Sequence, residues 1–144
     1  MRNILRSALL IFAFTSSTAA IATDPRLADA EVKAIRSVVQ AQLDAIAKDD
    51  GPKAFSYASA GIRAQFGIPE VFMAMVREGY PVVYRPASIS FLPAYRERGE
   101  ILQPVRMTDG GGLVWAALYK MEKQKNGSWR IAGCSLARTA DTST

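Results

Sequence analysis

The feature that most constrains the fold of this chain is a change of hydrophobic period near Tyr80. Upstream, Val32, Ile35, Val39, Leu43 and Ile46 recur at spacings of three and four, the single apolar stripe of a helix packed on one face. Lys33, Ser37, Asp44 and Lys48 fall opposite. Asp24 followed by Pro25 offers an N-cap with proline at the first helical position, and Asp29 offers an alternative start. Gly51 and Pro52 stop this helix. Short helical pieces follow over 53–58 and 62–66. Pro69 then opens another helix, with Phe72, Met75 and Val76 on its apolar side and Gly79 as its stop.

From Tyr80 onward the period falls toward 2, which predicts four strands at about 83–92, 101–108, 113–121 and 128–136. Arg98-Gly99-Glu100 and Asp109-Gly110-Gly111-Gly112 supply turns. Asn126-Gly127 is the strongest hairpin signal, read as a tight turn with positive φ at both positions. One face of the third strand carries Leu113, Trp115, Ala117, Tyr119 and Met121. In the fourth, strict alternation places Trp129 and Ile131 on one face and Arg130 and Cys134 on the other. Short turns between consecutive strands imply an antiparallel meander with the helices on one side, an α+β fold.

Composition removes whole classes of chemistry. The 144 residues contain no histidine and one cysteine, Cys134. Ser/His/Asp and Cys/His catalysis and His-ligated metal or haem sites are therefore excluded. A single cysteine also excludes an intrachain disulfide and a cysteine-based zinc cluster. Neither a metal nor a cofactor is expected.

Residues 1–22 carry Arg2 and Arg6, an apolar run from Ala8 to Phe14, and a small-residue tail ending Ala20-Ile21-Ala22. That order is a secretory leader cleaved after Ala22. Its apolar core is far shorter than the roughly 20 residues a membrane span needs. The mature chain would run from Thr23, as a single domain over 23–138 with a fraying polar tail over 139–144. Losing Arg2 and Arg6 takes Lys+Arg from 18 to 16 against 13 Asp+Glu, a net charge of +3. So mild a charge lacks the concentrated basic face that nucleic-acid binding uses.

A run of residues carries a family resemblance. Phe66-Gly67-Ile68-Pro69, Met75-Val76-Arg77-Glu78-Gly79-Tyr80-Pro81, Tyr84-Arg85-Pro86 and the ending Gly127-Ser128-Trp129-Arg130-Ile131-Ala132-Gly133-Cys134 resemble an exported bacterial family catalogued as domain of unknown function 4864. The resemblance implies membership and a periplasmic or secreted location, and it assigns no reaction. The order of helices followed by a curved meander also resembles the cone of nuclear transport factor 2 and ketosteroid isomerase. Fold alone does not imply function.

Candidate binding residues follow from chemistry. Arg77, Tyr80, Tyr84 and Arg85, joined by Trp115 and Tyr119 from the third strand, could rim a pocket, arginine as bidentate donor and tyrosine as flat contact. The structural alternative is that Pro81 and Pro86 fix the start of an edge strand. Cys134 reads as a small buried hydrophobe, with a reactive thiol as the alternative. Lys120, Lys123, Lys125 and Arg130 make the last hairpin basic, a feature that deters edge-to-edge pairing. No acid sits on an apolar stripe, so no catalytic residue is assigned.

Three function classes follow. The first is a non-catalytic exported domain holding a small apolar or anionic ligand in the cone. The second is a protein-interaction or dimerisation module of the cell envelope, which an exposed Trp115 or Trp129 would support. The third is a histidine-free isomerase or hydratase, which requires an Asp or Glu inside the pocket.

Overall fold

The computed structural model describes residues 26–140. The leader over 1–22, the Asp24-Pro25 start and the last four residues of the tail lie outside the described residues. Five helices precede a five-stranded antiparallel sheet: α1 (Asp29–Ala47), α2 (Gly51–Ser56), α3 (Ala60–Phe66), α4 (Pro69–Gly79), α5 (Pro81–Tyr84), β1 (Ser88–Phe91), β2 (Tyr95–Glu97), β3 (Glu100–Thr108), β4 (Val114–Lys123) and β5 (Trp129–Arg138). The layout is the α+β arrangement that the change of period implies. Among the described residues no helix is long and apolar enough to cross a membrane.

Helix α1 begins after Ala28, whose backbone N–H donates to Glu31 Oε2 at 3.4 Å. Asp29 and Glu31 in its first turn offset the helix dipole. Ile35, Val39, Leu43 and Ile46 are buried along the predicted stripe. Asp50 caps α2 by accepting from the Lys53 backbone N–H at 3.2 Å. At Gly51, a Cβ would lie 3.2 Å from Met73 Cγ and 3.5 Å from Pro69 Cβ. Glycine is what lets α2 and α4 approach so closely.

The predicted first strand, 83–92, is corrected. Its first part is the single turn α5, because Pro81 has the fixed φ and missing N–H suited to the start of a helix. Pairing starts only at Ser88. A strand absent from the sequence reading, β2, then pairs with the start of β3, so β1 and β2 share one edge of it. Pro93 lies in the break and cannot donate to a ladder. Opposite the break Pro104 lacks the N–H that a paired strand would use, while its carbonyl accepts from Leu92 N–H at 3.0 Å. The Gln103 amide fills the gap, donating to the carbonyls of Leu92 and Pro104 at 2.7 Å each.

The turns also sort differently from expectation. Arg98 and Gly99, at φ 49 and 78°, both adopt the left-handed region between the paired Glu97 and Glu100. The two-residue positive-φ hairpin is therefore here. At Asn126-Gly127 only Gly127 has positive φ, at 85°. Gln124 and Ser128 pair across a three-residue loop, and Asn126 Oδ1 accepts from the Ser128 N–H at 3.0 Å. Thr139, placed by the sequence in a fraying tail, is tied to the Val114 carbonyl through its N–H and its hydroxyl, each at 3.1 Å.

One irregularity decides where Cys134 points. Met121 pairs with Ile131, but Lys120 pairs with Gly133, so Ala132 is an extra residue on β5. Such a bulge reverses the alternation beyond it. Tyr119 then pairs with Cys134, and Cys134 joins Trp129 and Ile131 in packing on the core side. The strict-alternation placement of Cys134 beside Arg130 is thus overturned.

Candidate functional site

The core is not filled throughout. A cavity of about 290 Å³ lies between the helices and strands β4 and β5. Ile62 and Phe66 of α3, with Phe72 and Met75 of α4, line its helical side, and Tyr119, Ile131 and Cys134 line its sheet side. The wall stays together because Ser59 N–H donates to the Ile131 carbonyl at 2.8 Å and Ile131 N–H to the Tyr57 carbonyl at 2.9 Å. These bonds tie the α2–α3 connection to β5 beside the bulge.

No charged side chain is among the described residues that line the cavity. Its polar groups are few and mostly engaged. Gln42, nearly buried, donates to the Ala54 carbonyl at 3.2 Å. The Tyr80 hydroxyl donates to the Cys134 carbonyl at 3.1 Å. Tyr119 is 1% exposed, and its hydroxyl has no hydrogen-bond partner among the described residues. Burial pushes its pKa well above the ordinary 10.0, with the neighbouring Cys134 thiol adding to the rise. The thiol lies against the hydroxyl without making a well-formed hydrogen bond to it. Burial likewise pushes Cys134 up to about 12, partly offset by Tyr119. Both groups are neutral near pH 7, so Cys134 is no nucleophile there.

Of the six predicted rim residues, Tyr80 and Tyr119 line the cavity. Arg77, Tyr84 and Arg85 do not, and the structure gathers them on Asp49 instead. The Tyr84 hydroxyl donates to Asp49 Oδ1 at 2.6 Å, Arg85 reaches Oδ2 at 3.2 Å, and Arg77 reaches Oδ1 at 3.4 Å. The Tyr84 hydrogen bond holds the Asp49 carboxyl below its ordinary range, with Arg77 and Arg85 adding to it against a partial opposing effect of burial. Arg85 also stacks 4.1 Å from the Tyr84 ring centre and donates to the Ala47 carbonyl at 2.9 Å, closing the C-terminal end of α1. This is a lock on a helix end, with its donors already taken.

Trp115 lies away from the cavity, donating Nε1–H to Asp109 Oδ2 at 3.0 Å under Arg138. Trp129 is 4% exposed. Neither offers the free aromatic anchor that an interaction module calls for. Sequence reasoning missed Asp49 and the contribution of α3. The signal for Asp49 was a polar residue just past a helix end and before Gly51. Ile62 and Phe66 carried no signal beyond that of core positions.

Residues 28–144 match the model of a family described as Domain of unknown function (DUF4864). Among solved structures the chain is similar to an NTF-2 like protein of unknown function from Silicibacter pomeroyi DSS-3, at 15% identity and a TM-score of 0.50. The match covers 78% of this chain and all of that one. The likeness shows the fold, the nuclear transport factor 2-like cone. No curated protein matches the chain.

Proposed function

We propose that this chain, which belongs to the DUF4864 family, holds a small, neutral, largely apolar molecule in the cavity under α3 and α4. The observation that carries the reading is the lining itself: about 290 Å³ bordered mostly by apolar and aromatic side chains, with the amides of Gln42 and Gln65 and no charge among them. A concave apolar pocket with a few convergent polar groups is the usual form of a small-molecule site. The absence of charge narrows the sequence-based expectation, because an anion there would have no cation to meet.

Access is supported by α3. None of its seven residues is buried, although Ile62 and Phe66 close the pocket. The enzyme reading lacks the carboxylate it requires at this site. Binding without chemistry is the economical account. Under the same reading, residues 1–22 direct export and are removed, so the domain works outside the cytoplasm, in the periplasm or beyond.

Native mass spectrometry of the full chain, exported and gently purified, tests both parts. The expected spectrum begins at Thr23 and carries a reproducible non-covalent adduct. The adduct should vanish in Ile62→Trp, which fills the cavity from α3. An adduct that persists in the filled variant, or an uncleaved leader, would contradict the respective part.

A further inference from the structure

The Tyr119 hydroxyl is the one polar atom of the cavity wall that is both fully buried and without a hydrogen-bond partner among the described residues. Leaving such a group unpaired is costly, and native structures rarely do so without a reason. Two other side-chain donors of the wall are engaged, while the Gln65 amide belongs to an exposed residue of α3. Tyr80 O–H is taken by the Cys134 carbonyl and the Gln42 amide by the Ala54 carbonyl. The group beside Tyr119 is the Cys134 thiol, a weak donor in its neutral form. The wall therefore offers unpaired donors and no cation.

We infer that Tyr119 is a specificity-determining residue, and that the ligand of this cavity is a neutral molecule whose apolar body carries a carbonyl or similar acceptor oxygen, set against Tyr119 Oη. The inference rests on the cavity being a binding site, as proposed above. Burial keeps the phenol protonated, so the proton it offers is present throughout the neutral range. An acceptor oxygen satisfies it on binding. A hydrocarbon of the same shape leaves it unpaired.

The test uses two isosteric probes, 2-acetylnaphthalene and 2-isopropenylnaphthalene, which differ in a C=O against a C=CH2. Each is titrated into the full chain and into Tyr119→Phe, and the ratio of the two dissociation constants is compared. The ketone should be favoured by about tenfold in the parent, the range of one hydrogen bond gained against one buried donor left unmade. In Tyr119→Phe that preference should disappear while the hydrocarbon still binds. Since the hydroxyl has no partner to lose, the variant should unfold at no lower denaturant concentration than the parent. A second measurement needs no variant: the carbonyl stretch of bound 2-acetylnaphthalene should move to lower frequency than in an apolar solvent. Equal binding of both probes by the parent, a preference that survives the substitution, or an unshifted carbonyl would overturn the inference and leave the cavity reading standing. Failure of both probes to bind the parent would overturn both.

Discussion

Two parts of the same core are finished differently. Ile35 and Val39 of α1, Val105 and Met107 of β3 and Ala117 of β4 are wholly buried, and none borders the cavity. Under α3 the reverse holds: no residue of that helix is buried, yet its apolar side closes an unfilled space. One part follows the close packing expected of an interior. The other departs from it where the only buried, unpaired tyrosine hydroxyl of the described residues sits. The lesson is that this cone is stabilised at one place and left open at another, and the two can be perturbed separately.

The sharpest way to break that comparison is to truncate an aromatic on each side. Trp129→Ala, in the filled part, should cost about 3–5 kcal/mol in a denaturant melt. Phe66→Ala, on α3, should cost about 1 kcal/mol, because its ring is only half-buried. Equal losses would mean that α3 belongs to the core proper. Hydrogen exchange gives the same contrast without substitution: amides of α3 should exchange well before those in the middle of α1.

A smaller effect separates the polar supports from the cavity. Asp109 is held below its ordinary 3.8 by the Trp115 indole N–H, then by the Leu113 backbone N–H, against a partial opposing effect of burial, with the Gly111 N–H and Arg138 adding less. A carboxyl whose folded value is lowered contributes stability that is present above 3.8 and lost as the pH falls through the lowered value. Asp109→Asn should therefore be less stable than the parent near neutrality, with the gap closing below about pH 4. A gap that does not narrow in acid would show that the charge is not what matters.

The smallest perturbation is chemical. Cys134 is raised from 9.0 to about 12, so its neutral form is favoured by folding and any stability it contributes is lost as the pH rises through that interval. At about pH 8 a thiol reagent should label the native chain at least tenfold more slowly than the unfolded chain. Rapid native labelling would place the thiol outside the wall.

Much of this architecture can be read from spacing. The stripe from Val32 to Ile46, the Pro69 start of α4 and the change to period 2 each depend on local chemistry that the chain displays directly. The rest depends on pairing across strands. Ala132 looks like any strand residue until Met121 meets Ile131 and Lys120 meets Gly133, and only then does Cys134 turn inward. The break between β1 and β2 brings Pro93 on one side against the Gln103-Pro104 stretch of β3 on the other, which neither segment shows alone. Tyr84 and Arg85 advertise binding by type, but their partner, Asp49, lies 35 and 36 residues away in the chain. Tyr119 is on the inner face by alternation, whereas the lack of a partner for its hydroxyl is a property of everything packed around it.

The central claim is that the space under α3 receives a small neutral molecule, and isoleucine methyl spectra test it most directly. Ile46, Ile62 and Ile131 line the cavity, while Ile35 and Ile101 are buried away from it. On titration with 2-acetylnaphthalene the first three should shift together and saturate, with Ile35 and Ile101 unmoved. Spectra that do not change, or shifts spread evenly over all five, would contradict the account.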